Sequence, residues 1–391
     1  MSIKLKHVAE LIANGDEAGA LPYVALENVE SWTGRLATPF EDLPNRESAE
    51  SGICLVEPGD VLFGKLRPYL AKTWRTSDRL YASSELMAIR GGRLVGSRWL
   101  GYLAASRAMV EWAIATSEGV KMPRTSWEKL REFEIYQLPS LHEQDVAANY
   151  LDLETQRIDS LIDKKQRMIA LLTERRTAVL GSLVDGSGPS VAVRFVTSRI
   201  TSGPRGWSDF ASESGSPFIR ITNVQRRSIE LDMTDTLLVT APSGAESHRT
   251  RVVEGDVLVT ITADIGSVGV VRKKHAGAFV SQHIALLTPK GCRPEWLAFA
   301  IASPGSRASL DASQYGGTKT QLSLGDVAAL RIPVPNLDEQ DRVIEILRRE
   351  TRRLEHLNQH IDSQIALLKE RRQALITATV TGQLEIPEVA A

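Results

Sequence analysis

Apolar residues recur at spacings of three and four along two long stretches of this chain, residues 139–186 and 335–382. Such spacing, without an internal proline, is typical of helices that pack in a coiled coil. At 1.5 Å per residue, each helix would be roughly 65 Å long. We predict that the two helices pack on each other; the alternative is that each packs only on its neighbouring domain. The predicted seam consists of Ile158, Leu161, Met168, Leu172 and Val179 in the first helix and Leu354, Leu357, Ile361, Leu368 and Leu375 in the second.

The two stretches are copies of each other. They align without a gap at an offset of 196, from 139 to 335, and the string IALLTERR at 169–176 matches IALLKERR at 365–372. Polar side chains interrupt the seam at different places in the two copies, since Lys165 aligns with Ile361 and Gln364 aligns with Met168. The other interruptions are Arg175 and Arg371.

Both copies carry helix-end signals. Ser140 and Asn336 are good N-cap residues, and each is followed three positions later by a glutamate, as a capping box requires. Gly186 and Gly382 stand where a C′ glycine ends a helix. Gly181, inside the first copy, should weaken that end by up to about 1 kcal/mol.

The repeat extends to the segments that precede each helix. IKLKHVAELI at 3–12 matches the apolar pattern of VAVRFVTSRI at 191–200. PYVALENV at 22–29 and PFIRITNV at 217–224 alternate as strands that end at an asparagine, and GDVL at 59–62 and 255–258 places a Gly-Asp turn before a buried strand. Helices are predicted over 99–112 and 296–310, and 130–138 and 330–334 lead into the long helices. Each half is therefore predicted to be a mixed α/β domain followed by one long helix.

Composition places the chain among ordinary soluble proteins, with 42% hydrophobic and 24% charged residues and two cysteines far apart in sequence. No run of 18 apolar residues exists, and the first residues lack the apolar core of a signal peptide. We therefore expect a cytoplasmic protein without a membrane span. Cys54 and Cys292 are expected to be packing residues, because no CxxC or Cys/His cluster surrounds them.

The sequence contains none of the common catalytic motifs. A GxxxxGK[ST] phosphate loop, an HExxH zinc motif, a GxSxG nucleophile elbow and the Pro-Pro-Tyr or Pro-Pro-Phe motif of amino methyltransferases are all missing. Asp60 and Asp256 recur in the two halves, but each follows a glycine in a turn, which favours a structural role. His356 and His360 lie one helical turn apart without a third ligand, so no catalytic or metal site is predicted.

The order domain, helix, domain, helix resembles the specificity subunit of type I restriction-modification systems. The resemblance covers the whole chain and is carried by the segments 139–144 and 335–340 that lead into IALLTERR and IALLKERR. It implies an α+β fold with two mixed α/β target-recognition domains in a pseudo-two-fold repeat, separated by two long helices that form an antiparallel coiled coil. The predicted segments are 1–138 and 188–335 for the recognition domains, 139–187 for the first helix, and 336–391 for the second helix and tail.

The resemblance also implies the function. Each domain would read one half of a split, asymmetric double-stranded DNA sequence, and the helices would set the spacer. The chain itself would have no catalysis and no cofactor. Two N6-adenine methyltransferase subunits, contacting the helices and domains, would use S-adenosylmethionine, and a nuclease-translocase subunit would use ATP and Mg.

Net charge does not by itself identify a nucleic-acid binder, because it is −1 over the whole chain. Residues 191–335 carry 16 basic and 12 acidic side chains, against 17 and 18 in residues 1–138, so the second domain is the more basic. A DNA site would be a local patch of cations and amides. The glycine-containing loop 314–321 is the strongest candidate, and 119–126 is its positional counterpart. The candidate DNA-contacting residues are Lys65, Arg67, Tyr69, Lys121 and Arg124 in the first domain and Arg226, Arg227, Arg272, Lys273, Lys274, Gln314, Tyr315, Thr318, Lys319 and Gln321 in the second.

Two other classes of function stay open on the residues alone. A scaffold or interaction protein that uses a helical pair as a spacer would show the same repeat and would bind no DNA. An enzyme with an unrecognised active site, such as a fused modifying nuclease, would show turnover by the isolated chain.

Overall fold

The structure is a computed structural model that describes residues 2–12, 19–46, 53–313 and 321–386. The chain divides into two compact units. Unit 1 comprises Met1–Lys165 and Asp362–Ala391, and unit 2 comprises Gln166–Ile361. This division differs from the four predicted segments because each unit contains one globular domain together with parts of both long helices.

Domain 1 is the globular part of unit 1. Its described residues form three small sheets and three short helices, and the first long helix follows them. Among the described residues its strands are β1 (Ile3–Lys4), β2 (Ala9–Leu11), β3 (Leu21–Val24), β4 (Asn45–Arg46), β5 (Ile53–Val56), β6 (Val61–Gly64), β7 (Thr73–Arg75), β8 (Leu80–Ser83), β9 (Leu86–Gly91) and β10 (Glu134–Ile135). The helices are α1 (Ser97–Ala105), α2 (Arg107–Ala115), α3 (Trp127–Leu130) and the long helix α4 (Leu141–Val184).

Domain 2 is the globular part of unit 2 and repeats this order. Its strands are β11 (Ser190–Ala192), β12 (Thr197–Ser202), β13 (Ala211–Ile219), β14 (Leu237–Val239), β15 (Val257–Thr260), β16 (Val268–Val270), β17 (Phe279–Val280), β18 (Ile284–Pro289) and β19 (Arg331–Pro333). The helices are α5 (Ala245–Thr250), α6 (Pro294–Ala302), α7 (Pro304–Ser313), α8 (Leu324–Ala329) and the long helix α9 (Leu337–Val380).

The sheets show that the two domains share one topology. In domain 1 an antiparallel sheet has the order β2-β9-β6-β7, and in domain 2 the order β12-β18-β15-β16 is its equivalent. A parallel pair also occurs in each, β3 with β8 and β13 with β17. The predicted α+β fold class with two mixed domains and two long helices is therefore confirmed.

The predicted element boundaries need two corrections. The strands expected to reach Asn28 and Asn223 end earlier, and each asparagine closes a short 3-10 turn by accepting a backbone N–H with its side-chain oxygen. The helix expected over 99–112 is two helices, as is the one expected over 296–310. They break at the buried residues Ser106 and Ser303, and the Ser106 side chain caps α2 by accepting the Met109 N–H. Serine and asparagine side chains compete for backbone groups in this way and end regular elements.

The long helices begin and end where their caps predict. Ser140 accepts the Glu143 N–H and Glu143 returns a carboxylate to the Ser140 N–H, which completes a capping box on α4. On α9, Asn336 accepts the Glu339 N–H, but the Glu339 side chain pairs with Arg342. Gly186 and Gly382 have φ angles of 77° and 72°, the left-handed conformation that ends a helix.

Gly181 has a packing role in α4. A Cβ at this position would approach the Pro304 Cγ atom to 3.2 Å, so the missing side chain lets α7 come close to the helix. The local cost of glycine in a helix is therefore linked to the packing of unit 2.

The seam between the long helices lies partly on different residues from those predicted. Leu161, Met168 and Leu357 are 46%, 49% and 38% exposed, so their assignment to the seam is wrong. The seam instead follows positions at alternating spacings of four and three. In α9 these are the positions 196 residues after those of α4, which are Leu151, Thr155, Ile158, Ile162, Lys165, Ile169, Leu172, Arg176 and Val179. Arg176 and Arg372, rather than Arg175 and Arg371, are the arginines of this seam.

Within each unit the two helices run antiparallel. In unit 1 Asp159 of α4 pairs with Arg372 of α9, and Lys165 donates to Gln364, so rising numbers in one helix meet falling numbers in the other. In unit 2 Arg176 and Leu180 of α4 line one small cavity with Leu354 and Thr351 of α9, in the same sense. The long helices thus pack on each other, as predicted.

A buried glutamine fixes each domain to the start of the helix that follows it. The Gln144 side chain accepts the Gly96 N–H at 2.8 Å and donates to the carbonyls of Leu94 and Pro139. Gln340 makes the same clamp, accepting the Arg293 N–H at 2.9 Å and donating to the Pro335 carbonyl.

Replacing Gln144 by leucine should lower the free energy of unfolding by about 2–4 kcal/mol. The apolar side chain would leave buried backbone groups without partners, each at a cost of about 1–3 kcal/mol. The matched control is the exposed Gln166→Leu on the same helix, which should change stability by less than about 0.5 kcal/mol. Thermal and denaturant unfolding measure both variants, and equal effects would contradict the clamp.

Ion pairs of opposite polarity join the two domains to their helices. In unit 1 Arg98 of α1 pairs with Asp152 of α4. In unit 2 the domain supplies the acid, Glu295 of α6, and α9 supplies the base, Arg348. The contact is thus repeated with its charges reversed.

Candidate nucleic-acid interface

The candidate site of domain 1 is a loop after the buried strand β6, packed against the predicted segment 119–126. The Thr125 N–H donates to the Lys65 carbonyl at 2.9 Å and the Arg67 N–H donates to the Pro123 carbonyl at 2.7 Å. Leu66 and Arg124 also form an isolated antiparallel bridge. The structure therefore brings together the two basic segments that the sequence singled out in this domain.

Domain 2 has the same arrangement at the equivalent place. Gln321 bridges Thr262 in the loop after β15, and the Leu322 N–H donates to the Ile261 carbonyl at 2.9 Å. Gln321 is exposed. The other candidates of this segment, Gln314, Tyr315, Thr318 and Lys319, lie outside the described residues.

We call the loop 65–71 of domain 1 and the loop 261–266 of domain 2 the hairpin loops. Each departs from regular backbone geometry, since Arg67 and Ala71 have φ angles of 51° and 45° and Ala263 has 56°. Left-handed conformations in residues other than glycine are strained and are found preferentially at functional sites. The hairpin loops are therefore held in specific shapes by their surroundings.

Side chains of the domain 1 site divide into anchored and exposed groups. Lys65 donates to the Ser84 carbonyl at 2.6 Å, and Arg124 pairs with Glu85, so both are partly committed to the protein. Lys121 and Tyr69 are exposed, and Arg67 is half-buried.

The basic residues of domain 2 also divide. The Arg226 guanidinium pairs with Asp264 and donates to the Ile265 carbonyl of the hairpin loop, while Arg227 is exposed. Arg272 pairs with both Glu230 and Glu295. These bonds direct it to the carboxylate that also holds Arg348 of α9, whereas Lys273 and Lys274 are exposed.

The ion pair between Arg272 and Glu230 shifts the pKa values of both side chains. The hydrogen bond from Arg272 lowers the pKa of Glu230, and the same bond raises the pKa of Arg272. Burial lowers the pKa of the neighbouring His275. Both partners of the Arg272 pair are therefore held in their charged forms at neutral pH, as a structural anchor requires.

The recurring aspartates have structural partners. Asp60 accepts two hydrogen bonds from Arg90, each at 2.7 Å, and also accepts the Glu57 N–H. Asp256 accepts from Arg199 at 3.0 Å and from the Val253 N–H. The cation comes from β9 in one domain and from the neighbouring strand β12 in the other. Burial raises the pKa of Asp256, and the hydrogen bonds to its carboxylate, of which the one from Thr288 has the largest effect, reduce that rise without cancelling it.

The described part of the chain shows no group of His, Cys, Asp and Glu residues that could hold a metal ion. Both cysteines are buried, and burial raises the pKa of Cys292 to about 12, so its thiol is protonated at neutral pH. Within the same described ranges, no helix is long and apolar enough to cross a bilayer.

Residues that sequence reasoning missed include Trp32, Arg176 and Arg372. The two arginines lie at seam positions and donate to backbone carbonyls of their domains. The two arginines align at the offset of 196, and this match could have identified them. The predicted seam instead contained their neighbours Arg175 and Arg371. Trp32 carries no pattern that would have identified it.

Comparisons with known proteins agree on one family. The family described as "Type I restriction modification DNA specificity domain" matches residues 208–367. The specificity subunit of type I restriction enzyme EcoBI from Escherichia coli is 21% identical over 313 residues, which is 73% of this chain and 64% of that protein. The specificity subunit of EcoKI from Escherichia coli strain K12 is 23% identical over 274 residues, 63% of this chain and 57% of that protein. The aligned region thus spans less than two thirds of the length of either relative.

A solved structure agrees with the fold over nearly the whole chain. A chain from a study of complex assembly and conformational transition of the type I R-M system superposes with a TM-score of 0.75 at 20% identity, covering 98% of both chains. That likeness extends the shared fold beyond the residues that the family match covers. Residues 208–367 thus match the type I restriction modification DNA specificity domain, the two curated relatives are specificity subunits of type I restriction enzymes, and the solved structure shows the same fold over nearly the whole chain.

Proposed function

We propose that this chain is the sequence-specific DNA-binding subunit of a type I methyltransferase and restriction complex. Each domain reads one half of a bipartite, asymmetric sequence, and the long helices set the spacer between the halves. The observation that carries the proposal is the duplicated site. Two domains of one topology each bridge a hairpin loop to an exposed polar residue, Leu66 to Arg124 in domain 1 and Thr262 to Gln321 in domain 2.

The divergence of the two sites supports reading of two different half-sites. Cations, Lys121 and Arg124, dominate the segment beside the domain 1 loop, whereas Gln321 bridges the loop in domain 2. Arginine and lysine favour guanine in the major groove, and glutamine favours adenine. Equal scaffolds with different side chains suit the recognition of an asymmetric sequence.

Exposed leucines on the helices support docking of two methyltransferase subunits. In unit 1 Leu161 of α4 and Leu367 of α9 are 46% and 63% exposed, and each directly precedes a seam position. Unit 2 holds the equivalent pair, Leu357 and Leu171. Because the exposed leucines recur at equivalent positions in the two units, they suit the docking of two copies of one partner, one on each unit.

The catalytic chemistry belongs to the partners in this proposal. The chain lacks the motifs of methyl transfer and DNA cleavage. Methyltransferase subunits would bind and use S-adenosylmethionine, and restriction subunits would bind and use ATP and Mg. The isolated chain is accordingly expected to show neither methyl transfer nor nuclease turnover.

Electrophoretic mobility of a duplex library, with and without the methyltransferase partner, tests this function. The complex should retard and enrich duplexes that share a split sequence with a fixed spacer. A protein that serves only as a scaffold would enrich no sequence. Turnover by the purified chain alone would instead support an enzyme.

Two sets of neighbouring basic residues should behave differently on replacement. Lys273→Ala with Lys274→Ala should leave stability within about 0.5 kcal/mol. If both lysines contact phosphates, the slope of log K against log salt concentration should fall by up to about 2. Arg272→Met should instead lower the free energy of unfolding by about 2 kcal/mol, because it breaks the bonds to Glu230 and Glu295.

Salt titration of DNA binding and chemical denaturation separate these effects. An unchanged salt slope in the double lysine variant would remove these lysines from the interface. An unchanged stability in the arginine variant would contradict the anchoring role of Arg272.

A further inference from the structure

A buried arginine of the helix pair holds a loop of domain 1. Arg372 of α9 is 8% exposed, and its guanidinium donates to the Thr33 carbonyl at 2.6 Å and to the Trp32 carbonyl at 3.3 Å. Its Nε donates to Asp159 of α4 at 3.0 Å, and Asp159 also pairs with Arg35. Both long helices therefore contribute to the site that fixes the 32–33 backbone.

The same loop holds the hairpin loop. The Trp32 indole Nε1 donates to the Tyr69 carbonyl at 3.2 Å, and the Trp32 N–H donates to the Ala71 carbonyl at 3.2 Å. Trp32 itself has a φ angle of 66°, which is unusual for a bulky side chain. A continuous series of hydrogen bonds thus runs from the helix seam through Trp32 to the hairpin loop.

Unit 2 contains an equivalent series. Arg176 of α4 donates to the Arg226 carbonyl at 2.8 Å, and the Arg226 side chain donates to the Ile265 carbonyl at 3.3 Å. Asp264, next to Ile265, pairs with the same guanidinium. Burial lowers the pKa of Arg176, and the nearby Glu355, which aligns with Asp159, opposes that shift.

The two series connect the same points through different chemistry. Arg176 and Arg372 are 196 positions apart, and so are the final acceptors Tyr69 and Ile265. The middle step is an indole N–H in one domain and a guanidinium in the other. Different side chains thus connect the same two points, the seam arginine and the hairpin loop, in both units. Packing of the domain on the helices would not by itself require these shared end points.

We propose that Arg372 and Arg176 are positioning residues that couple the helix pair to the two DNA-reading hairpin loops. This proposal rests on the proposed function. Each arginine fixes the loop of one domain, so Arg372 governs reading of one half-site and Arg176 governs reading of the other. A methyltransferase subunit that docks on the helices and orders their seam thereby also orders the loops.

Each domain is held by an arginine of the long helix that does not directly follow it in the sequence. Domain 1 precedes α4 but receives its arginine from α9, and domain 2 precedes α9 but receives its arginine from α4. Each loop therefore depends on the pairing of the two helices as well as on its own domain. A loosened seam would release both loops.

Methylation by the complete complex tests the coupling. Arg372→Met keeps an apolar stem of similar length and removes every donor, and the exposed neighbour Arg371→Met is its matched control; Arg176→Met and Arg175→Met form the second set. Duplexes carry single-base changes in either half-site at constant spacer. Discrimination at one half-site should fall at least 10-fold in Arg372→Met and at the other half-site in Arg176→Met, with the controls like wild type.

A local variant covers the case in which the arginine variants fail to fold. Trp32→Phe keeps an aromatic ring, although a smaller one, and removes the indole N–H that donates to the Tyr69 carbonyl, so it should reproduce the half-site loss of Arg372→Met. Amide hydrogen exchange in 67–71 should quicken in the same variant. These readouts distinguish positioning of the loop from general stability, which would affect both half-sites together.

The outcomes separate the coupling from the function on which it rests. If the wild-type complex methylates no bipartite sequence, the proposed function fails. If it does so and the variants match their controls, or if both half-sites suffer equally in every variant, the coupling is overturned.

Discussion

A seven-residue insertion in each long helix is expected to lengthen the preferred DNA spacer by about three base pairs. The insertions are placed opposite each other, between Lys165 and Gln166 in α4 and between Gln364 and Ile365 in α9. Seven residues preserve the alternation of three and four in the seam and add about 10.5 Å to each helix. With base pairs about 3.4 Å apart, the half-site sequences should stay unchanged while their separation grows.

The control is an insertion that does not preserve the alternation of three and four in the seam. Two residues inserted at the same places rotate the following turns by about 200° and carry exposed charges such as Glu174 into the seam. Burial of unpaired charges costs several kcal/mol, so this variant should lose methylation. Methylation of duplexes that differ only in spacer length measures both variants. An unchanged optimum after the seven-residue insertions would mean that the helices do not set the spacer.

A fragment of residues 1–190 is expected to pair with a second copy of itself and, with the methyltransferase, to modify a palindrome of the first half-site. The fragment contains one domain and one complete long helix. In the full chain, Asp159 pairs with Arg372. Arg176 occupies the position in α4 that Arg372 has in α9, so the Arg176 of a second copy can take this place. A closed dimer with two-fold symmetry would result.

Charge reversal gives the fragment a sharp control. Arg176→Glu would face Asp159 of the other copy and should abolish the dimer, since like charges at a buried contact are strongly unfavourable. Asp159→Arg in the same fragment restores opposite charges and should recover part of the pairing. Sedimentation equilibrium and palindrome methylation measure these species. A monomeric parent fragment, or a dimer indifferent to Arg176→Glu, would contradict the expectation.

The helices could be predicted from sequence because their signals are local. Caps such as Ser140 and Gly186 act within a few residues of themselves, and equivalent caps occur in both copies of the repeat. The seam itself is harder to place, because Leu161 and Leu357 are apolar and each lies directly beside a seam position. Polar seam residues such as Arg372 are satisfied by partners distant in sequence, which no local pattern reveals.

The candidate site shows the same limit. The repeat makes 119–126 and 314–321 counterparts of each other, but it did not predict that Arg124 and Gln321 bridge the hairpin loops, because those contacts join segments distant in the chain. The basic run that begins at Arg272 looked like a DNA patch, yet its first residue anchors the domain because Glu230, 42 positions away, folds beside it. Which described residues contact DNA stays a prediction.

Methylome sequencing of cells that carry the methyltransferase gene, with and without the gene for this chain, tests the central claim most directly. The account predicts N6-methyladenine in a single asymmetric motif of two half-sites with a fixed spacer, present only when this chain is present. Arg372→Met and Arg176→Met should each relax one half of that motif. Methylation that is independent of this chain, or confined to one continuous sequence, would contradict the account.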